Sequence, residues 1–257
     1  MSQPDPLSTA VSQCWSSYFR SNAWDPAEIA FDDSYTLSPE ERRAIAPSVQ
    51  QFQLGENAEG RRLQNRGRAY AAATGDDEFP VALKLFIQEE QRHSATLLRF
   101  MQRQGIAALG SHWVDRIFRR VRVLAGLELS LRVLVAAEII AVPYYRALSR
   151  ATGSPALRAI SLRILKDEAM HLQFQASMMS RIESQRASLV RFAAWRAHRL
   201  FLLGTCTVVW FEHLSVFRAA GYTFHRFILE SLSEFHALEC RACGLAVQRL
   251  VFRDSAT

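Results

Sequence analysis

Two short stretches of the sequence carry the same pair of metal-ligating side chains at the same spacing. Glu90 and His93 form one Glu-x-x-His motif, and Glu168 and His171 form the other. On an α-helix, positions i and i+3 lie on one face, so both side chains of a motif can reach a single metal ion. With only 7 His in 257 residues, a second copy is difficult to attribute to chance.

Each motif follows a further glutamate at almost the same distance. Glu59 precedes the first motif and Glu138 the second, so that the whole set recurs with an offset of 78–79 residues. Glu138 stands in the apolar segment 131–142, where an unpaired carboxylate would be costly to bury. A bound cation would remove that cost. The sequence therefore predicts six metal ligands: Glu59, Glu90, His93, Glu138, Glu168 and His171.

The elements that must position these ligands are predicted to be helices. The 11 Gly and 8 Pro lie mostly before residue 81 or near 105–110 and 143–155, and long Ala-, Leu- and Arg-rich stretches run between them. Ser-Pro pairs at 38–39 and 154–155 indicate helix starts, with Ser as N-cap and Pro in the first turn. We predict an all-α chain with helices over about 38–73 (open to interruption near Pro47 or Gly55), 80–103, 125–150, 155–182, 187–219 and 223–252, and a short helix over 112–121.

These helices divide the chain into three parts. Residues 1–37 are polar with scattered aromatic residues and Pro, and are predicted to form an irregular arm. Residues 38–182 contain two helix pairs and both motifs, a pattern that fits a four-helix bundle. Residues 183–257 are predicted to be a C-terminal helical extension packed on that bundle.

The repeated ligand set resembles that of the ferritin-like di-iron carboxylate superfamily, over about residues 38–182. The resemblance implies a ferritin-like four-helix bundle with two Fe ions in its core. It assigns Glu59, Glu90 and His93 to one ion, and Glu138, Glu168 and His171 to the other. Glu90 and Glu168 would bridge the two ions. Four carboxylates and two imidazoles suit Fe or Mn better than Zn, so Mn or a mixed Fe/Mn pair stays open.

The residue before each motif glutamate is also acidic, as Glu89 and Asp167. In the wider superfamily an acid here commonly holds a ligand His through its second ring nitrogen, which orients the ring. The alternative is an ordinary exposed charge.

Local strings resemble two different members of the superfamily. The string Glu-Glu-Gln-Arg-His at 89–93 is similar to the first motif of acyl-carrier-protein desaturases, and 166–174 is similar to the second motif of aldehyde-deformylating oxygenase. Met170 departs from the desaturase form, which has Arg before His. The favoured interpretation is a di-iron oxidase or oxygenase that activates O₂ and oxidises a small, apolar organic substrate. The alternatives are a ferroxidase that handles iron, a tRNA hydroxylase and an acyl-carrier-protein desaturase.

The remaining composition restricts the partners and the compartment. The net charge of +6 is spread along the chain, which argues against nucleic-acid binding. No paired C-x-x-C site is present beyond Cys240 and Cys243, so electrons would come from an external donor protein. The longest apolar run, 200–211, is too short to span a membrane, and no signal peptide is visible. We expect a cytoplasmic protein, and a homodimer stays open.

Overall fold

The computed structural model describes residues 6–31, 34–57, 60–114, 116, 126–184 and 186–254, with side chains for those between residues 9 and 244. All regular secondary structure in these ranges is helical, which confirms the predicted all-α class. The helices are α1 (Pro6–Ser21), a 3₁₀ turn (Pro26–Glu28), α2 (Pro39–Glu56), α3 (Arg61–Thr74), α4 (Phe79–Arg103), α5 (Leu127–Ala151), α6 (Pro155–Glu183), α7 (Ser188–Glu212), α8 (Leu214–Ala219) and α9 (Phe224–Asp254). Among the described helices, none combines the length and apolarity needed to cross a membrane.

Both predicted Ser-Pro starts begin helices. The Ser38 hydroxyl accepts a hydrogen bond from the Glu41 backbone N–H at 3.1 Å, and the Ser154 hydroxyl accepts one from the Leu157 N–H at 3.2 Å. Each contact satisfies a backbone donor that the first turn of a helix otherwise leaves unpaired. The predicted short helix over 112–121 falls largely outside the described residues.

Helix α1 corrects the expectation that residues 1–37 form an irregular arm. It packs against α4 through a face on which Ser12, Ser16 and Phe19 are buried. Ser12 donates a hydrogen bond to the Asp76 carboxylate at 2.7 Å, which satisfies its buried hydroxyl. Two of these three buried positions are serine. The sequence therefore lacks the periodic apolar residues that would have predicted this helix.

The predicted helix over 38–73 is two helices. Helix α2 runs through Pro47 and ends at Glu56, and α3 begins after Gly60, which has a left-handed backbone with φ of 62°. A Cβ at Gly60 would lie 2.6 Å from the Ile87 side chain. Glycine is therefore required both by the backbone conformation and by the close approach to α4.

The chain forms two compact units. The first comprises Met1–Ser130 with Gly153–Ile160, and the second comprises Leu131–Thr152 with Ser161–Thr257. In the first unit, α1, α2 and α3 all pack on α4, which is the central helix of that unit. The predicted domain boundaries after residues 37 and 182 stay predictions.

A buried polar cluster joins α5, the end of α6 and α7 in the second unit. The Arg132 guanidinium donates to the Glu183 carboxylate at 2.9 Å, and the Trp195 indole N–H donates to the other oxygen of the same group at 2.9 Å. His198 stacks on Trp195 with ring centroids 5.8 Å apart. Burial, and then the nearby Arg132 charge, lower the pKa of His198 to about 3, so His198 is neutral and Glu183 carries the countercharge for Arg132.

Replacing Glu183 by glutamine should destabilise the protein by about 3–5 kcal/mol, because it leaves the Arg132 charge buried without its carboxylate. Chemical denaturation measures the change. The matched control is Glu234→Gln, which breaks the Arg146–Glu234 pair at 3.2 Å, whose side chains are 41% and 28% exposed. That pair should contribute less than about 1 kcal/mol, and equal effects of the two variants would contradict the prediction.

Candidate metal centre

The first unit brings together three side chains that can ligate a metal. Glu56 is the last residue of α2, and Glu90 and His93 lie one turn apart on α4. One ligand atom from each lies within 4.8 Å of the others, and the His93 Nδ1 is 3.7 Å from Glu90 Oε1. His93 is fully buried, whereas the Glu90 side chain keeps 14% of its exposure. We call Glu56, Glu90 and His93 the first triad.

Glu56 was not among the predicted ligands, and the predicted ligand Glu59 lies outside the described residues. Within α2 the helical period places Glu56 on the buried face. Ile45, Val49, Gln53 and Glu56 are all buried on α2, at the three- and four-residue spacing of one helix face. The repeat with its offset of 78–79 residues indicates Glu59 instead.

A buried amide–hydroxyl contact fixes α2 against α4 next to the first triad. Gln53 Nε2 donates to the Ser94 hydroxyl at 3.0 Å, and that hydroxyl donates to the Gln53 backbone carbonyl at 3.0 Å. Gln53 lies one turn before Glu56, and Ser94 follows His93. The contact therefore holds the two helices in the register that brings Glu56 to His93.

The second unit brings together the predicted ligands Glu138, Glu168 and His171, which we call the second triad. Glu138 lies on α5, and the other two lie one turn apart on α6. Their ligand atoms are within 4.8 Å of one another. His171 Nδ1 is 3.5 Å from Glu138 Oε2 and 3.5 Å from Glu168 Oε2, and all three side chains are almost completely buried.

The 3.5 Å separations between His171 Nδ1 and the two carboxylate oxygens are typical of two ligands of one ion and are too long for good hydrogen bonds. A hydrogen bond between nitrogen and oxygen is about 2.7–3.2 Å long. Two donors about 2.1 Å from one ion, at angles of roughly 90–120°, lie roughly 3.0–3.6 Å apart. Glu138 Oε1 accepts a hydrogen bond from Gln175 at 3.0 Å, whereas Oε2 accepts none from the described side chains. The second triad therefore fits a cation whose ligands are the imidazole Nδ1 and carboxylate oxygens.

The two carboxyl groups of the second triad titrate differently. Burial, and then the neighbouring Glu138 carboxylate, raise the pKa of Glu168 well above its usual value. Burial also acts to raise the pKa of Glu138, but its polar contacts with Glu168, His171 and Gln175 outweigh this, and the pKa is lowered. Without a cation, Glu168 therefore holds a proton beside the ionised Glu138.

Metal binding to the second triad should release the Glu168 proton, so affinity should rise with pH above the usual titration range of a glutamate. At low pH the proton on Glu168 competes with the metal ion and, because the pKa of Glu168 is raised, stabilises the metal-free fold. This contribution is lost as pH rises through the folded-state pKa, so the metal ion then binds more tightly. Titration calorimetry in two buffers of different ionisation enthalpy measures the released proton. In Glu168→Gln the pH dependence should flatten, and an unchanged slope would contradict the assignment.

Gln175 orients a ligand without belonging to the triad. It lies one turn after His171 on α6, is 1% exposed, and directs Oε2 of Glu138 towards His171 by holding Oε1. Outer groups of this kind typically change metal affinity 10- to 100-fold. We predict a loss of this size in Gln175→Leu, measured by competition with a chelator. Gln173→Leu, on the same helix, is the control and should leave the affinity unchanged; equal losses would remove the assignment.

The acids before each motif are both buried. Glu89 is 1% exposed and accepts a hydrogen bond from the Asn22 amide at 2.8 Å. Asp167 is 0% exposed and pairs with Arg163 at 3.1 Å. The alternative of an ordinary exposed charge is therefore wrong for both residues. That each acid holds a ligand His stays a prediction.

A cavity of about 270 Å³ lies elsewhere in the first unit and is lined by Gln64, Arg68, Pro80, Val81 and Lys84. It contains no member of the first triad.

Comparison of the chain with models of known protein families gives no match, and no curated protein is significantly similar to it. The buried Glu and His side chains of each triad could hold a metal ion.

Proposed function

We propose that the two triads bind two Fe ions, as the resemblance of the ligand set to di-iron carboxylate proteins implies, and that the protein is a di-iron oxidase or oxygenase of the ferritin-like four-helix-bundle type. The observation that carries the proposal is the double occurrence of one ligand set. Each unit brings two carboxylates and one imidazole within ligand distance of one another, and in both units one glutamate and the histidine form a Glu-x-x-His motif on one helix.

The donor chemistry supports iron. Four carboxylates balance the charge of two divalent ions, which makes burial of the centre tolerable. A set rich in carboxylate with two imidazoles suits Fe or Mn better than Zn, which prefers thiolate and imidazole. A bound pair of ferrous ions would supply the electrons that reduce O₂.

The protein's own side chains exclude water and hold the ligands. His171, Glu168 and Glu138 are at most 2% exposed, so their environment has a low dielectric constant that strengthens ligand–ion attraction. The Glu90 side chain keeps 14% of its exposure, so the first triad is more accessible to small molecules than the second. The resemblance to di-iron carboxylate proteins implies that Glu90 and Glu168, each beside a His on its own helix, would be the bridging carboxylates.

Apolar side chains near the ligands along the same helices support the proposal of an apolar organic substrate. Phe86 lies one turn before Glu90, Ile164 one turn before Glu168, and Tyr145 two turns after Glu138 on α5. All three are at most 3% exposed. Each of these side chains would suit an apolar molecule, whose C–H, N–H or aldehyde group would be the position of attack.

An anaerobic titration followed by an O₂ pulse tests the proposal. The full chain loaded with two ferrous ions should consume O₂ in a single rapid turnover, with an accompanying absorbance change, and should then stop. Sustained oxidation of excess ferrous ion without organic substrate would instead support the ferroxidase alternative. O₂ uptake that is equally fast in a Glu138→Ala/His171→Ala variant would contradict both functions.

A further inference from the structure

Helix α7 of the second unit presents a long apolar face to solvent. Leu189 is 78% exposed, Leu200 70% and Phe211 68%, and these positions span the helix from its first turn to its last. Phe192 and Val208, which flank them, are 58% and 36% exposed. Isolated exposed apolar residues are ordinary, but a continuous face of this length marks a contact surface.

The centre of this face forms a strip that we call the α7 strip. Its members are all exposed and lie within about 60° of Leu200 around the helix axis: Leu189, Ala193, Arg196, Ala197, Leu200, Gly204, Thr207 and Phe211. Only one of these eight residues is charged. The opposite face of α7 is buried and includes Trp195, Leu202 and Cys206, and α7 packs on α8 and α9. The α7 strip therefore contributes little to the core of its own unit.

We propose that the α7 strip is the interface of a homodimer, in which α7 packs antiparallel on α7 of a second copy about a two-fold axis at Leu200. The strip is self-complementary about that residue. Leu189 and Phe211 are each 11 residues from Leu200, so Leu189 of one copy lies opposite Phe211 of the other. Ala193 and Thr207 are each seven residues away and face each other in the same manner. A two-fold interface requires such a patch to match itself.

The one charged residue in the α7 strip fits the same arrangement. Arg196 and Gly204 are each four residues from Leu200, so Arg196 lies opposite the partner's Gly204. A Cβ at Gly204 would meet nothing within 4 Å, which leaves room for the arginine. The Arg196 guanidinium stacks on Phe192, 4.9 Å from the ring centroid, so that its charge is held at the edge of the strip.

The size of the face also fits a second copy. Leu189, Phe192, Leu200, Val208 and Phe211 together expose on the order of 600 Å² of apolar side-chain surface, and each partner of a standard interface contributes about 800 Å². The small residues between them allow two helix backbones to approach closely. A membrane surface would not require the match about Leu200, and it would favour several basic residues along the strip.

Sedimentation velocity on the full metal-loaded chain tests this proposal. The wild type should be a dimer at micromolar concentration. Leu200→Glu should raise the dimer dissociation constant at least about 100-fold, because it places two carboxylates against each other on the axis. The matched control is Leu162→Glu on α6, where Leu162 is 55% exposed, and it should leave the dimer intact. A monomeric wild type, or a dimer that persists in Leu200→Glu, would overturn the proposal.

A cross-linking experiment tests the position of the axis independently. In a background with Cys14, Cys240 and Cys243 changed to serine, Leu200→Cys should form an intermolecular disulfide on mild oxidation, and Leu162→Cys should not. Equal cross-linking at the two positions, or none at residue 200, would overturn the proposed axis. Flotation of a monomeric wild type with anionic vesicles would overturn the dimer in favour of a membrane-binding face. Metal content should be similar in all these variants, which separates this proposal from the metal centre.

Discussion

Alanine at both Glu138 and His171 should lower the iron content from about two ions per chain to well below one. The double change removes two of the three groups of the second triad and leaves the Glu168 carboxyl without an ionised neighbour or an imidazole. Because the bridging carboxylates that the resemblance implies would couple the two ions, loss of one ion should weaken the other. Metal analysis after anaerobic loading and gel filtration measures the effect.

The matched control for this variant changes a glutamate and a histidine elsewhere in the second unit. Glu234→Ala with His236→Ala on α9 alters the same residue types at the surface, where His236 is exposed, and should retain about two ions. Circular dichroism should show the same helix content in both variants. Retention of two ions by the Glu138/His171 variant would remove the second triad as a metal site.

Substitution of Glu56 by glutamine should also cause a large loss of iron. Its carboxylate lies within 4.8 Å of the His93 and Glu90 ligand atoms, and an amide of the same size cannot balance the charge of the ion. Glu59→Gln is the informative comparison, because the sequence repeat assigns the ligand to that position. We expect the chelator-resistant iron to fall at least about tenfold in Glu56→Gln, with a much smaller effect in Glu59→Gln. The reverse result would support the repeat-based assignment.

The positions of most helices follow from local signals that act within one turn. Ser38 and Ser154 cap their helices by bonding backbone donors three residues away, and such contacts are visible as Ser-Pro pairs in the sequence. Helix α1 was missed because its buried face depends on a distant partner. Ser12 is satisfied by Asp76, 64 residues away, and no local pattern records that contact.

The grouping of Glu138, Glu168 and His171 could be predicted from helix geometry together with the apolar surroundings of Glu138. Glu168 and His171 share a face at any point of a straight helix, and Glu138 stands in an apolar segment that demands a partner. Predicting Glu56 as a ligand would have required knowing where α2 ends. Helix α2 ends at Glu56 with Asn57 as its C-cap, and the interruption predicted near Pro47 or Gly55 did not fix that residue.

The α7 strip illustrates the same distinction for surfaces. The sequence of α7 is apolar around most of the helix, so periodicity does not separate its core face from its outer face. Burial of Trp195, Leu202 and Cys206 identifies the core face. Only then can Leu189, Leu200 and Phe211 be recognised as an exposed row.

The most direct measurement of the central claim is the number of tightly bound iron ions per chain, determined by elemental analysis after ferrous loading and exposure to a chelator. Two triads of two carboxylates and one imidazole predict about two ions in the wild type, and well below one after the Glu138→Ala/His171→Ala change. A wild-type chain that retains no iron, or a double variant that retains as much as the wild type, would contradict the account.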